Sequence, residues 1–214
     1  MSGIVTDIKE LTAKKVMVYI DYKEAFAVYK GELRKFNISV QGIIDDSTYD
    51  ELIKVLSKRA VIRAMSLLKN KDYTRAELIN KLKKGYYPDN CIDAAISYVE
   101  KYGYIDDYRY SFNYITFKSS SKSRKMIKSF LKSKEIDDSI IEKAFSDFFG
   151  GDDIDNYEYD IVLKQMKKKI QKYDDKNLDY KEKQKIIAYF YRKGFQVDII
   201  KKVLDVVVNY WLNT

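Results

Sequence analysis

The apolar positions of residues 74–100 follow the spacing of two short amphipathic helices joined by a turn. Thr74 and Glu77 have the spacing of a capping box, which would start the first helix. Gly85 is expected to take the left-handed conformation that ends this helix, and Pro88 suits the first turn of the second. The two predicted buried stripes consist of Leu78, Ile79 and Leu82, and then of Ile92, Ala95, Ile96 and Val99.

This pattern recurs twice along the chain. Residues 123–149 repeat it at a single shift of 49 residues, and residues 179–208 repeat it after a longer shift of about 59 or 60. In the third copy Asp179 and Glu182 form the expected capping box, and Gly194 follows the first helix. The apolar residues of the second copy are Ile127, Leu131, Ile141, Ala144 and Phe145, and those of the third include Ile200, Val203, Leu204 and Val207.

A further helical segment precedes each copy, at residues 60–69, 108–117 and 160–173. Since a helical pair buries only one face, a third helix and stacked neighbours would complete each core. The sequence therefore predicts three tandem three-helix repeats in an elongated, curved array. We place the N-terminal segment at residues 1–58 and the repeats at residues 59–105, 106–150 and 151–214, with Gly150 and Gly151 as the expected hinge between the last two.

The N-terminal segment alternates between apolar and polar positions instead of following a helical spacing. Val16, Val18 and Ile20 before a polar turn at residues 21–24, and Phe26 and Val28 after it, predict a β-hairpin. With residues 4–11 the hairpin would form a three-stranded sheet, which must lean on a helix because a small sheet is marginal alone. The fold class is thus mainly α behind a small N-terminal sheet with short helices. These helices are expected at residues 31–36, ended by Asn37, and through Leu52, Val55 and Leu56, capped by Asp46 or Ser47.

Composition narrows the chemistry. The 214 residues are 46% apolar, enough for a folded core, and include no histidine, the commonest general base near neutral pH and the commonest metal ligand. The single cysteine, Cys91, has no partner for an internal disulfide and is expected to serve as a small apolar residue. Motifs of phosphate-binding loops and of serine hydrolases are absent. We therefore expect no enzymatic activity, no cofactor and no metal site.

The paired aspartates stand where they would cap helices rather than catalyse. Asp106–Asp107, Asp137–Asp138 and Asp152–Asp153 each precede a predicted helix, where a carboxylate bonds the free N–H groups of the first turn. No apolar run reaches the roughly 18 residues that cross a bilayer, and the first 15 residues lack the apolar centre of a signal peptide. We expect a cytoplasmic monomer without membrane contact.

Positive charge is concentrated in the predicted repeats. The net charge is +8, and residues 1–58 carry nine basic and nine acidic side chains, so the whole excess lies in residues 59–214. Residues 118–134 hold seven basic residues and no acidic one. On a helix of about 100° per residue, Arg124, Lys125, Lys128 and Lys132 occupy one sector, with Met126, Ile127 and Phe130 opposite and Leu131 near the border. Lys164, Lys168 and Lys172 share a second face, away from Val162, Met166, Ile170 and Tyr173. The candidate filament-binding or DNA-binding residues are Lys118, Lys122, Arg124, Lys125, Lys128, Lys132, Lys164, Lys168 and Lys172.

Two interpretations of these basic faces stay open at this point. They can follow a phosphate backbone, with binding that weakens as salt rises, or they can be solvated helix faces. Because lysine offers a point charge without base-edge geometry, nucleic-acid binding through them would have little sequence specificity. Most of the aromatic residues are expected in the core, with Tyr86, Tyr87 and Tyr104 as exposed exceptions available for base stacking.

The order of these elements resembles the RecX family of recombination regulators. The similarity is carried by the run TRAELINKLKKGYYPDNCIDAAISYVEKYGYIDDYRY at residues 74–110, by RKGF at residues 192–195 and by DYKEAFAVYKGELRKFNI at residues 21–38. It covers nearly the whole chain. In the second repeat Lys134 and Glu135 stand where the family usually has a Lys-Gly turn, and Ser111 replaces a frequent alanine.

The resemblance implies a non-enzymatic regulator, chiefly an inhibitor, of the RecA recombinase in DNA repair, homologous recombination and the SOS response. Such a protein lies in the groove of the RecA–DNA filament and damps its ATPase and strand exchange. Weak, sequence-independent binding to single-stranded and double-stranded DNA is expected as well. The alternatives are a stand-alone nucleic-acid-binding helical-repeat protein and a helical scaffold for another acidic protein.

Overall fold

The computed structural model describes residues 3–150, 154–171 and 178–212, and the chain divides into two compact units, Met1–Asp106 and Asp107–Thr214. As predicted, the described residues are mainly helical behind a small antiparallel sheet. The first unit contains β1 (Gly3–Glu10), β2 (Lys15–Ile20), β3 (Lys23–Tyr29), α1 (Lys30–Lys35), β4 (Ile43–Ile44), α2 (Asp46–Leu68), α3 (Arg75–Lys83) and α4 (Asp89–Lys101). The second contains α5 (Asp107–Lys118), α6 (Arg124–Ser133), α7 (Asp138–Phe149), α8 (Ile154–Ile170), α9 (Tyr180–Arg192) and α10 (Val197–Leu212).

The predicted hairpin forms from β2 and β3. Val16 lies opposite Val28 and Val18 opposite Phe26, and all four side chains are buried. The turn is shorter than residues 21–24, because Asp21 and Tyr22 alone make it and both have positive φ. Two such residues match the natural twist of a hairpin.

The sheet has four strands in the order β3-β2-β1-β4, where the sequence predicted three. The extra strand, β4, pairs Ile43 with Ile4 and Ile44 with Gly3 of β1. Two residues are too short to show an alternating pattern, so the sequence held no signal for this strand.

One helix, α2, replaces two predicted helical segments. Its N-cap is Asp45, whose carboxylate accepts a hydrogen bond from the N–H of Thr48 at 2.7 Å, rather than Asp46 or Ser47. The helix continues without a break past residue 58, because no glycine or proline interrupts it there. Its buried residues form one continuous stripe of Leu52, Leu56, Ala60, Ala64 and Leu67. The division of the chain into residues 1–58, 59–105, 106–150 and 151–214 stays a prediction.

The sheet and the helices of the first unit share one core, which runs from Val5 to Ile105 in the sequence. The sheet therefore leans on helices, as its small size requires. Cys91 is fully buried in this core, and the hydroxyl of Ser57 donates a hydrogen bond to its sulfur at 3.4 Å. Burial raises the pKa of the Cys91 thiol, which suits a packing role.

The second unit contains two cores, one within α5–α7 and one within α8–α10, and Tyr157 packs against both. Helix α8 begins at Ile154, six residues before its predicted start, and ends at Ile170. The predicted end at Tyr173, the hinge residue Gly151 and the pair Asp152–Asp153 lie outside the described residues.

The predicted caps of α3, α7 and α9 are present, whereas Pro88, expected in the first turn of the next helix, is the N-cap of α4. Thr74 and Asp179 form capping boxes with Glu77 and Glu182, and Asp137 accepts from the N–H of Ser139 at 2.8 Å. These bonds satisfy first-turn donors that the helices leave unpaired. The hydrogen bonds from Ser139 lower the pKa of the Asp137 carboxyl.

In the turn after α3, Gly85 is not the residue with the left-handed conformation. The left-handed residue is the next one, Tyr86 with φ of 62°, and the corresponding positions after α6 and α9 hold Glu135 and Gly194. Gly85 is needed for space, because a Cβ there would lie 2.9 Å from a ring carbon of Tyr87. Ser111, the departure from the family pattern, is buried and donates to the carbonyl of Asp107 at 2.7 Å.

Candidate nucleic-acid interface

Helix α6 carries the most basic stretch and is fixed by its apolar face. Ser123 caps it by accepting from the N–H of Met126 at 3.2 Å, and Ile127 and Leu131 are buried in the core of α5–α7. Leu131 is therefore a core residue rather than a border residue. Met126 is the exception in the predicted apolar sector, because it is 37% exposed and lies beside Gly194.

Three of the four cations on the predicted face of α6 are paired with carboxylates of α7. Arg124 donates to Glu142 at 2.7 Å, and Lys128 binds the other oxygen of the same carboxylate. The hydrogen bond from Lys128 lowers the pKa of the Glu142 carboxyl, and the charge of Arg124 adds to the effect. Lys132 pairs with Asp138 at 2.7 Å. A stretch free of acidic residues in sequence thus acquires two acidic neighbours in space.

The other cations of residues 118–134 differ in what holds them. Lys125 is exposed and has no carboxylate partner within the described ranges. The ammonium of Lys118 lies 4.3 Å from the ring centre of its exposed neighbour Phe117. Lys122 donates to the hydroxyl of Tyr114 at 3.4 Å. Lys125 is therefore the cation of this face that is most available to a phosphate.

Helix α8 presents the second predicted face. Val162, Met166 and Ile170 are buried, whereas Lys164 and Lys168 are exposed. Neither lysine is paired with a carboxylate in the part of the chain that the structure describes. The third member of the predicted face, Lys172, lies outside the described residues.

The start of α6 is bound directly to the third repeat. The Ser123 hydroxyl donates to the carbonyl of Lys193 at 2.8 Å, and the N–H of Arg124 donates to Glu158 at 2.7 Å. A Cβ at Gly194 would lie 2.6 Å from the Ser123 hydroxyl oxygen, so only glycine allows this approach. The basic faces of α6 and α8 are consequently held in one fixed relation.

Four side chains at this junction, those of Gln165, Lys169, Tyr189 and Lys193, were not predicted from the sequence as a group. Gln165 of α8 donates to the carbonyl of Ser121 at 3.0 Å and accepts from the ammonium of Lys193 at 2.8 Å. Lys169 and Lys193 both lie against the ring of Tyr189. Gln165 and Lys169 lie on α8, whereas Tyr189 and Lys193 lie on α9 and at its C-cap, so no spacing within one helix could have grouped all four.

The exposed aromatic residues only partly match the expectation. Tyr86 and Tyr104 are each 47% exposed, but Tyr87 is half-buried, and burial raises the pKa of its hydroxyl. Tyr98 and Tyr102, which were not singled out, are also exposed, with ring centres 4.7 Å apart. In the first unit, Tyr86 and Tyr87 line an open groove of about 220 Å³ beside Met17 and Phe26.

In residues 3–150, 154–171 and 178–212, no cluster of three or more cysteine or acidic side chains has the arrangement of a metal site. Across the same ranges, every helix is either too short or too polar to span a membrane.

Comparison with known proteins identifies the family. The family models described as RecX, first three-helix domain, and RecX, third three-helix domain, match residues 60–98 and 155–204. Regulatory protein RecX of Finegoldia magna is 31% identical over 193 residues, which cover 88% of this chain and 92% of that protein. The chain belongs to the RecX family. Regulatory protein RecX of a Clostridium botulinum strain is 26% identical over 212 residues, which cover 96% of each chain.

Solved RecX structures share the fold. A crystal structure of regulatory protein RecX superposes with a TM-score of 0.61 at 18% identity, covering 96% of this chain and 100% of that one. RecX from Lactobacillus salivarius gives a TM-score of 0.62 at 23% identity, covering 72% of this chain and 97% of that one. The resemblance inferred from the residues is confirmed.

Proposed function

We propose that this RecX-family protein is a non-enzymatic regulator, chiefly an inhibitor, of the RecA recombinase. It binds in the groove of the RecA–DNA filament and modulates ATP hydrolysis and strand exchange during DNA repair, homologous recombination and the SOS response. The observation that carries this proposal is the match along 88% of the chain to a relative named a regulatory protein.

The cationic faces support a contribution from DNA. Lys125, Lys164 and Lys168 are exposed and lack carboxylate partners among the described residues, so their charge is available to phosphates. Lysine contacts predict weak, sequence-independent affinity for single-stranded and double-stranded DNA. We further propose that the protein acts as a monomer in the cytoplasm.

The test is ATP hydrolysis by the cognate RecA on single-stranded DNA, titrated with this protein at moderate salt. Binding to the same DNA without RecA is measured in parallel. We expect inhibition at protein concentrations well below those that coat the bare DNA, because a regulator acts on the filament itself.

The second candidate is a stand-alone nucleic-acid-binding protein, which the same unpaired lysines favour. It predicts that ATP hydrolysis falls only when enough protein is present to cover the DNA. That result would make competition for DNA the better explanation and would remove the support for direct regulation.

A further inference from the structure

Lys193 directly follows the last residue of α9, and both its backbone carbonyl and its side-chain ammonium are hydrogen-bonded. Its carbonyl accepts a hydrogen bond from Ser123 at 2.8 Å. Its ammonium donates to Gln165 at 2.8 Å and lies 4.6 Å from the centre of the Tyr189 ring. Few rotamers of this lysine remain to be lost when it binds a ligand.

Lys169 approaches the same aromatic ring from α8, with its ammonium 4.0 Å from the ring centre. The side-chain amide of Gln165 is oriented by its donation to the carbonyl of Ser121, which leaves its oxygen for Lys193. We call Gln165, Lys169, Tyr189 and Lys193 the Tyr189 cluster. It places two cations and a fixed amide around one tyrosine at the junction of the second and third repeats.

Among the described residues, no carboxylate balances the charge of this cluster. Within the described ranges, neither Lys169 nor Lys193 forms an ion pair, in contrast to Arg124 and Lys128, which share one carboxylate. The aromatic ring attracts both ammonium groups but supplies no net negative charge. Two ammonium groups held against one ring attract an anion. The oxygens of that anion can accept further hydrogen bonds from the ammonium groups.

We propose that the Tyr189 cluster binds the phosphodiester backbone of DNA. Lys169 and Lys193 donate to phosphate oxygens, while Gln165 and the Ser123 hydroxyl fix the position of Lys193. This deepens the proposed function, on which it rests, by naming a DNA contact of the regulator. Because the bound group is a phosphate, the site is indifferent to base sequence.

The test compares two double variants. Lys169→Gln with Lys193→Gln removes both charges of the cluster. Lys54→Gln with Lys58→Gln is the matched control, because it removes two exposed lysines of α2 from the charge-balanced segment. Fluorescence anisotropy of a labelled oligothymidylate, titrated at several KCl concentrations, gives the affinity and its salt dependence, and a duplex of mixed sequence provides a second probe.

We expect the cluster variant to bind both probes about ten-fold more weakly at low salt. Its slope of log affinity against log salt should fall by about 0.7 for each lost contact to single-stranded DNA. The DNA affinity of the control variant should remain within about two-fold of that of the unchanged protein. Replacing both cluster lysines by arginine should preserve most of the affinity, since arginine keeps the charge and binds phosphate.

Unchanged affinity and slope in the cluster variant would overturn the proposal, and so would an equal loss in the control. If the double variant lowers the thermal midpoint, Lys169→Gln alone provides the same test with about half the change in slope. RecA inhibition is measured separately. Failure of the unchanged protein to inhibit RecA refutes the proposed regulation. Whether DNA affinity depends on Lys169 and Lys193 shows, independently of RecA, whether the Tyr189 cluster binds DNA.

Discussion

Ser123 and Lys193 lie 70 residues apart and are joined by a hydrogen bond of 2.8 Å from the serine hydroxyl to the lysine carbonyl. The same hydroxyl oxygen accepts from the N–H of Met126, so one atom both caps α6 and links it to the turn after α9. Beside it, the N–H of Arg124 donates to the buried carboxylate of Glu158 on α8. The two repeats of the second unit are thus connected at the residue that begins the most basic helix.

Replacing Ser123 by alanine should destabilise the protein. The change removes a helix cap, which is worth about 0.5–2 kcal/mol, and leaves the Lys193 carbonyl without this donor, at a cost of about 1–3 kcal/mol. Since the two effects share one oxygen and need not add, we expect the free energy of unfolding to fall by about 2 kcal/mol. Urea denaturation followed by circular dichroism measures it.

Ser146→Ala is the matched control, because Ser146 is exposed on α7. It should change the unfolding free energy by less than about 0.5 kcal/mol. A Ser123→Ala variant as stable as this control would show that the link between the repeats contributes nothing.

Replacing Gly194 by alanine should also be destabilising, for a steric reason. The residue has φ of 85°, and an added Cβ would lie 2.6 Å from the Ser123 hydroxyl oxygen and 3.2 Å from Cγ of Met126. The left-handed conformation alone costs alanine about 1–2 kcal/mol, and relieving the contact adds to it. The thermal midpoint should fall clearly below that of the unchanged protein.

Gly31→Ala is the control, because Gly31 lies in α1 with open space around its Cα, and alanine favours a helix by about 0.5–1 kcal/mol over glycine. It should raise the midpoint or leave it unchanged. In the double variant with Ser123→Ala, the cost of Gly194→Ala should shrink, since the nearest clashing atom is gone. Simple additivity of the two changes would contradict the geometry.

The repeat architecture was predictable because each element leaves a local signal. Thr74 and Asp179 are followed three residues later by glutamate, and the apolar stripes of the first copy recur twice along the chain. The two-residue strand β4 leaves no such signal, and neither does the unbroken continuation of α2. The expectation of positive φ at Gly85 was wrong, because a glycine can be required for close packing as well as for positive φ.

The candidate site was only partly predictable, because carboxylates distant in sequence can lie beside a basic helix in the fold. The sequence correctly placed Lys125, Lys164 and Lys168 on exposed faces. It could not show that Glu142, which lies 14 residues beyond Lys128, neutralises part of the α6 face. Nor could it bring Gln165 next to Lys193, since that contact depends on how α8 packs against the turn after α9.

Replacing Glu142 by glutamine should weaken the pH dependence of stability. The folded protein holds the pKa of this carboxyl below its ordinary value of 4.5, chiefly through the hydrogen bond from Lys128. Its stabilising contribution is therefore fully present above pH 4.5 and is lost as the pH falls through the lower folded pKa. Because the pair of Lys128 and Glu142 is partly exposed, we expect it to contribute about 0.2–1 kcal/mol to the free energy of unfolding at pH 7.

The measurement is the urea midpoint of both proteins from pH 7 to pH 3. The difference between them should be largest at neutral pH and should vanish in acid, where Glu142 is protonated. A difference that is constant across this range would mean that the charge of Glu142 is not what stabilises the protein. High salt should reduce the difference at pH 7.

Changing Lys125, Lys164 and Lys168 together to glutamine should weaken DNA binding more than changing Lys128 and Lys132. The first three are exposed without carboxylate partners in the described residues, whereas the other two already pair with Glu142 and Asp138. Each lost phosphate contact should lower the salt slope for single-stranded DNA by about 0.7. Anisotropy titrations at several KCl concentrations measure affinity and slope for both variants. If the change at the paired lysines proves more damaging, their ion pairs must open on binding, and the whole cationic sector of α6 faces the DNA.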